Sequence, residues 1–125
     1  MSRWILSIVA GVLFASILPA VAQESRLPEI PIKSTVTVLS LGAEICLSCQ
    51  RTNSAISELQ REYQGRAAII SLDIQEHKGL GDQCRVRAVP TQIFYDRNGK
   101  ERYRHEGYLS KKRCAEQLEK LIAEH

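Results

Sequence analysis

Methionine occurs once in this chain, as the initiator, and histidine three times, with no tract enriched in either. A soft-metal site built on thioether and imidazole donors has little to draw on. Aromatic residues are scarce at 6%, and the net charge is only +3 over 125 residues, one of the positives being Arg3. A nucleic-acid binder needs a concentrated basic face to displace counterions. Here the denser basic stretches, DRNGKERYRH (96–105) and SKKRC (110–114), contain acids or flank turns. They read as solvated faces, and nucleic acid is not an expected partner. Internal repeats and low-complexity tracts are absent, and nothing after residue 34 reads as a linker. The length suits one domain, and 44% apolar residues supply its core.

One apolar run stands apart from the rest. MSRWILSIVAGVLFASILPAVA (1–22) opens with a single basic residue, runs apolar from Trp4 to Leu18, breaks at Pro19 and ends in Ala20-Val21-Ala22. That is the tripartite pattern of a secretory signal peptide with cleavage between Ala22 and Gln23. The alternative is an uncleaved membrane anchor, although the run is short against the roughly 20 residues of a full span. The mature chain is then expected in a secreted or periplasmic, oxidising compartment.

Residues 23–34, with Pro28 and Pro31, read as an extended N-terminal segment. TVTVLSLG (35–42) is β-branched and nearly all apolar, a strand buried on both faces. After it, Ile56, Leu59 and Tyr63 recur at helical spacing until Gly65. RAAIISLDI (66–74) reads as a second buried strand, and a loop with a short helix follows around Leu80–Arg85. PTQIFYD (90–96) is a third strand, and Asn98-Gly99 marks a hairpin to a polar edge strand, KERYRHEG (100–107). Ser110 caps a last helix whose stripe is Cys114, Leu118, Leu121 and Ile122. Strand–helix–strand units imply parallel pairing through right-handed crossovers, and the hairpin adds an antiparallel edge. The expected architecture is α/β: a mixed sheet of four to five strands with helices on both faces, over residues 35–125.

The chemistry concentrates in LGAEICLSCQRTN (41–53), where Cys46 and Cys49 flank Leu47 and Ser48. Covalent haem attachment wants Cys-x-x-Cys-His, and residue 50 is Gln. Structural zinc wants four ligands, and Cys84, Cys114, His77, His105 and His125 form no second close pair. A structural disulfide closing so short a loop constrains little. Thiol–disulfide exchange fits better. Between a buried strand and a helix, the Cys46 thiolate meets unpaired N–H groups and the positive end of the helix dipole. Cys49, one turn on, can attack the resulting mixed disulfide. Pro90, at the head of the third strand, occupies a common setting for a cis peptide bond.

From Thr35 to Ile122 the mature chain resembles the thioredoxin family. Cys46-Leu47-Ser48-Cys49 is similar to its active-site motif, Val89-Pro90-Thr91 to its cis-proline loop, and Gly107 to its glycine before the last helix. The resemblance implies a thioredoxin-like three-layer fold and thiol–disulfide oxidoreductase activity without cofactor or metal. It makes Cys46 the exposed nucleophile and Cys49 the buried resolving thiol. Val89, Pro90 and Thr91 would form a substrate-binding wall, joined by Leu47 and Ser48 for specificity. The partners implied are protein thiols and disulfides and a membrane-bound electron donor or acceptor, and the chain is expected to be a monomer. Two departures stand out. Leu-Ser replaces the family's Gly-Pro, and Ser40 stands where a buried aspartate usually helps deprotonate the resolving cysteine, with Glu44 a candidate substitute.

Cys84 and Cys114 are expected as unpaired thiols on opposite faces of the sheet, with Cys84 the more reactive. The leading function is an exported thiol–disulfide oxidoreductase of reductase type. The competing one is a non-catalytic module of the same fold that binds a peptide or Cu(I).

Overall fold

The computed structural model describes residues 27–124. The leader expected over 1–22, its cleavage point, the first residues of the lead-in and His125 lie outside the described residues. Seven elements follow in order: β1 (Thr37–Gly42), α1 (Leu47–Glu62), β2 (Ala68–Asp73), α2 (Leu80–Gln83), β3 (Thr91–Tyr95), β4 (Glu101–Glu106) and α3 (Lys111–Ala123). They build one four-stranded sheet in the order β2-β1-β3-β4.

β1 is central because its sequence is apolar on both sides. Alternate residues of a strand face opposite ways, so Val36 and Val38 point to one layer and Leu39 and Leu41 to the other. The first layer is packed by Ile56, Leu59 and Tyr63 of the α1 segment and by Cys114, Leu118 and Leu121 of α3. The second is covered by Leu80 of α2, with Ile30 of the lead-in and Cys84 packed against it. Helices thus cover both faces in three layers.

The α3 start follows the sequence closely: the Ser110 hydroxyl accepts from the Arg113 N–H at 3.3 Å. At the hairpin, the Asp96 carboxylate accepts from the N–H groups of Asn98 and Lys100, and Gly99 takes the left-handed conformation that the turn requires. These bonds, with the Arg102 guanidinium, hold the Asp96 carboxyl below its ordinary range.

Three expectations need correction. Only β1–α1–β2 is a parallel crossover, because β3 runs antiparallel to β1. The four residues of α2 rise only about 6 Å, too little to carry the chain back along a six-residue strand of about 20 Å. The connection instead stays at one end of the sheet, so β3 starts beside the end of β1, with Thr91 opposite Leu41. Second, β2 is an edge strand, half-buried except at the exposed Ser71, not buried. Its apolar run could fill a central position, but β1 occupies that place. Third, among the described residues of the lead-in, 27–34, bends and a turn replace one extended run, and the Ile30–Pro31 bond is cis.

Candidate active site

β1 ends at Gly42, and the loop Ala43–Ile45 delivers Cys46 to the N-cap of α1. The Cys46 backbone is extended there, and its sulfur accepts the Cys49 N–H at 3.1 Å. This is the bond that Ser or Asp makes at other helix starts, transferred to sulfur. The first turn of α1 carries no acidic side chain to oppose negative charge on that sulfur. The Ser48 hydroxyl lies 3.3 Å from the same atom. When the disulfide opens, an N–H and a hydroxyl are therefore in place to donate to a Cys46 thiolate.

Cys46 and Cys49 are joined as a disulfide, their Cα atoms 5.1 Å apart. Their environments differ. Cys46 is half-buried at the surface, whereas Cys49 is 1% exposed. Gly42 explains how Cys49 fits, since a Cβ at that position would stand 3.3 Å from both Cβ and Sγ of Cys49. The absence of a side chain on the last residue of β1 makes room for the inner sulfur.

Val89–Pro90 is a cis peptide bond, and the Val89 carbonyl lies 4.0 Å from the Cys46 sulfur. The fold thus brings a loop 43 residues away against the Cys pair. Pro90 is buried and its carbonyl accepts the Gly107 N–H at 2.7 Å, which ties the loop to the end of β4. Thr91 is buried as well, and its hydroxyl donates to the Ala88 carbonyl at 2.6 Å. It braces the turn from inside.

Leu47 is 78% exposed and Ile45 85%. With Ser48 and Arg51 they line an open groove beside Cys46. Two large apolar side chains thus stand in water next to Cys46. Glu44 is exposed and its backbone carbonyl accepts from the Gln50 side chain at 3.5 Å. Among the described residues, no group of three His, Cys, Asp or Glu side chains is arranged to hold a metal ion.

Cys84 and Cys114 are free. Cys114 is buried under α3, and burial pushes its thiol up to about 12. Cys84 is half-buried on the other face of the sheet, and burial also raises its thiol, partly offset by Arg104. Both are poor nucleophiles at neutral pH because the thiolate is the reactive species.

Sequence reasoning missed two residues of this region. Gly42 contacts Cys49, and a glycine closing a buried strand just before a Cys pair was the available signal. Gln92 is buried on the same face as Ser40. The amide in the strand TQIFY is the signal that sequence offers, and its place opposite Ser40 emerges only from the β1–β3 register.

A three-layer α/β domain with a Cys-x-x-Cys pair at the head of a helix and a cis-proline loop against it defines a class of dithiol–disulfide proteins. The model of the thioredoxin-like domain family matches residues 24–122, and the chain belongs to that family. It is 29% identical over 101 residues to the chloroplastic M-type thioredoxin of Spinacia oleracea, covering 80% of this chain and 55% of that one. Against the thioredoxin of Staphylococcus aureus it is 28% identical over 91 residues, covering 73% of this chain and 86% of its relative. The fold resembles chloroplastic thioredoxin z with a TM-score of 0.66 at 20% identity, over 73% of this chain and 81% of that one.

Proposed function

We propose that the protein is an exported thiol–disulfide oxidoreductase that works as a reductase of protein disulfides. The observation that carries the reading is the disulfide-bonded Cys46–Cys49 pair at the N-terminus of α1, with its outer sulfur against the Val89–Pro90 loop. In the forward reaction the Cys46 thiolate attacks a substrate disulfide, and the Cys49 thiolate then attacks the mixed disulfide. The second attack releases the reduced substrate and leaves the Cys46–Cys49 disulfide.

Substrate is proposed to lie against the Val89–Pro90 loop, which the buried Thr91 braces from beneath, with Leu47 and Ser48 setting preference on the opposite side. The exposed Ile45 and Leu47 fit an apolar segment flanking the substrate cysteine. The leader pattern over residues 1–22 supports export, to a secreted or periplasmic location. In an oxidising compartment a reductase must be recharged, which calls for a membrane-bound electron donor. We take the working form to be a monomer.

Reduction of insulin by dithiothreitol tests the reading. Catalytic amounts of the wild-type protein should accelerate precipitation of the insulin chains. A redox potential of the Cys46–Cys49 couple near about −270 mV would agree with reduction, and one near about −120 mV would reverse the direction. No acceleration, together with tight stoichiometric copper binding, would favour a non-catalytic binding module instead.

A further inference from the structure

One row of the sheet breaks the apolar pattern on the α1–α3 face. In register across the four strands it reads Ser71, Ser40, Gln92, His105. The next row inward reads Ile69, Val38, Phe94, Tyr103. Gln92 is fully buried, and neither atom of its amide has a hydrogen-bond partner among the described residues. A buried amide left unpaired is costly, and an apolar side chain of the same shape would avoid that cost. The amide therefore points to a partner that exists in another state of the molecule.

Strand geometry identifies the candidate. Ser40 and Gln92 are directly opposed and share a face. Gly42 lies two residues beyond Ser40 on that face, and the Cys49 sulfur stands over Gly42. The Gln92 position is thus diagonal to Gly42, over which Cys49 stands, a span that long side chains cross. In the disulfide the Cys49 sulfur carries no charge, whereas in the dithiol cycle it must become a thiolate in a buried place.

We propose that Gln92, with Ser40 beside it, is the hydrogen-bonding partner of the Cys49 sulfur once the disulfide opens, its amide N–H donating to the resolving thiolate. This rests on the oxidoreductase reading above. The other groups near Cys49 give the amide a task. From β2, Asp73 is the register partner of Gly42, and it lines a cavity with Glu44 and Glu76. Negative charge on that side would oppose a thiolate at Cys49. From α1 come Cys46 and, toward solvent, Arg51, whose guanidinium lies over the Tyr108 ring. From β4 comes His105, beyond Gln92, with Nε2 2.9 Å from the Tyr108 carbonyl. Ser40 is no base at neutral pH, so a donating amide replaces proton abstraction by stabilisation of the product thiolate.

Cys49 gives its proton to solvent, and its thiolate attacks the Cys46 sulfur of the mixed disulfide. The Cys46–Cys49 bond forms while the bond from Cys46 to the substrate sulfur breaks. That sulfur leaves with the bonding electron pair and takes up a proton from solvent, so the dithiol is oxidised and the substrate disulfide reduced by two electrons.

Gln92→Met keeps the shape and removes the donor. In a Cys46→Ala background the Cys49 thiolate is titrated by its ultraviolet absorbance, subtracting Cys46→Ala/Cys49→Ala to remove Cys84 and Cys114. Gln92→Met should raise the Cys49 midpoint by about one unit, roughly tenfold less thiolate at a given lower pH. With Cys46 present, release of substrate from the mixed disulfide should slow by a similar factor at neutral pH and converge with wild type at high pH. An unchanged midpoint in a folded Gln92→Met protein would overturn the proposal. If Gln92→Met does not fold, Gln92→Glu keeps a donor only while protonated. Its Cys49 titration should then depart from wild type as the new carboxyl ionises, and identical curves would overturn the proposal. The titration needs no turnover, so it remains readable even if the oxidoreductase reading fails.

Discussion

Cys46 and Cys49 share one turn at the head of α1, while Cys84 and Cys114 lie in separate cores on opposite faces of the sheet. The first pair meets donors: the Cys49 N–H and the Ser48 hydroxyl reach the outer sulfur. The second pair meets mainly burial, which pushes both thiols upward, Cys114 to about 12. Four identical side chains thus fall into two chemistries, and the difference is made by backbone position. A helix start supplies unpaired N–H groups, whereas the middle of an apolar stripe supplies only packing atoms.

The largest expected effect comes from removing the outer sulfur. Cys46→Ser should bring insulin reduction down to the rate of dithiothreitol alone, while Cys84→Ser and Cys114→Ser should keep turnover near wild type. Retained activity in Cys46→Ser would erase the distinction between the pairs. A smaller effect is expected from crowding the inner sulfur. Gly42→Ala places a methyl 3.3 Å from Cys49 and should destabilise the fold by about 1–3 kcal/mol, read by denaturant unfolding. Alkylation of the reduced native protein sharpens the contrast by rate. Cys46 should react first and Cys84 slowly, faster as pH rises, while Cys114 stays unmodified until the protein unfolds.

The last contrast, confined to alkaline solution, is a pH dependence of stability. The Cys114 thiol is raised from 9.0 to about 12 on folding, so above pH 9 the unfolded chain loses a proton that the folded one keeps. Folding stability contributed by this group is full below 9 and falls as pH rises toward about 12. Unfolding midpoints measured across that window should decline less in Cys114→Ala than in wild type, apart from a constant offset for the lost sulfur.

The sequence showed the elements and the Cys pair because both rest on local signals. Apolar periodicity marks α1 and α3, Ser110 and Asn98-Gly99 mark a cap and a turn, and Cys46 falls where a strand gives way to a helix. What was not legible depends on pairing between distant segments. Whether RAAIISLDI sits at the centre or the edge is decided by its neighbours, and an apolar run looks the same in either place. The direction of β3 depends on which end of the sheet the chain occupies after α2, which local periodicity does not encode. The row Ser71, Ser40, Gln92, His105 exists only once four strands are in register. Ser40 stands out in the sequence for the acid it replaces, whereas its neighbour Gln92 emerges only from the β1–β3 alignment.

The division of labour between the two sulfurs of the active pair is tested most directly by mapping adducts. A disulfide-containing substrate peptide is offered to reduced Cys49→Ser and reduced Cys46→Ser, and the products are analysed by non-reducing peptide mass spectrometry. Cys49→Ser should accumulate a stable mixed disulfide on Cys46, and Cys46→Ser should form none on its buried Cys49. An adduct on Cys49 in Cys46→Ser, or one on Cys84 in both variants at equal yield, would contradict the account.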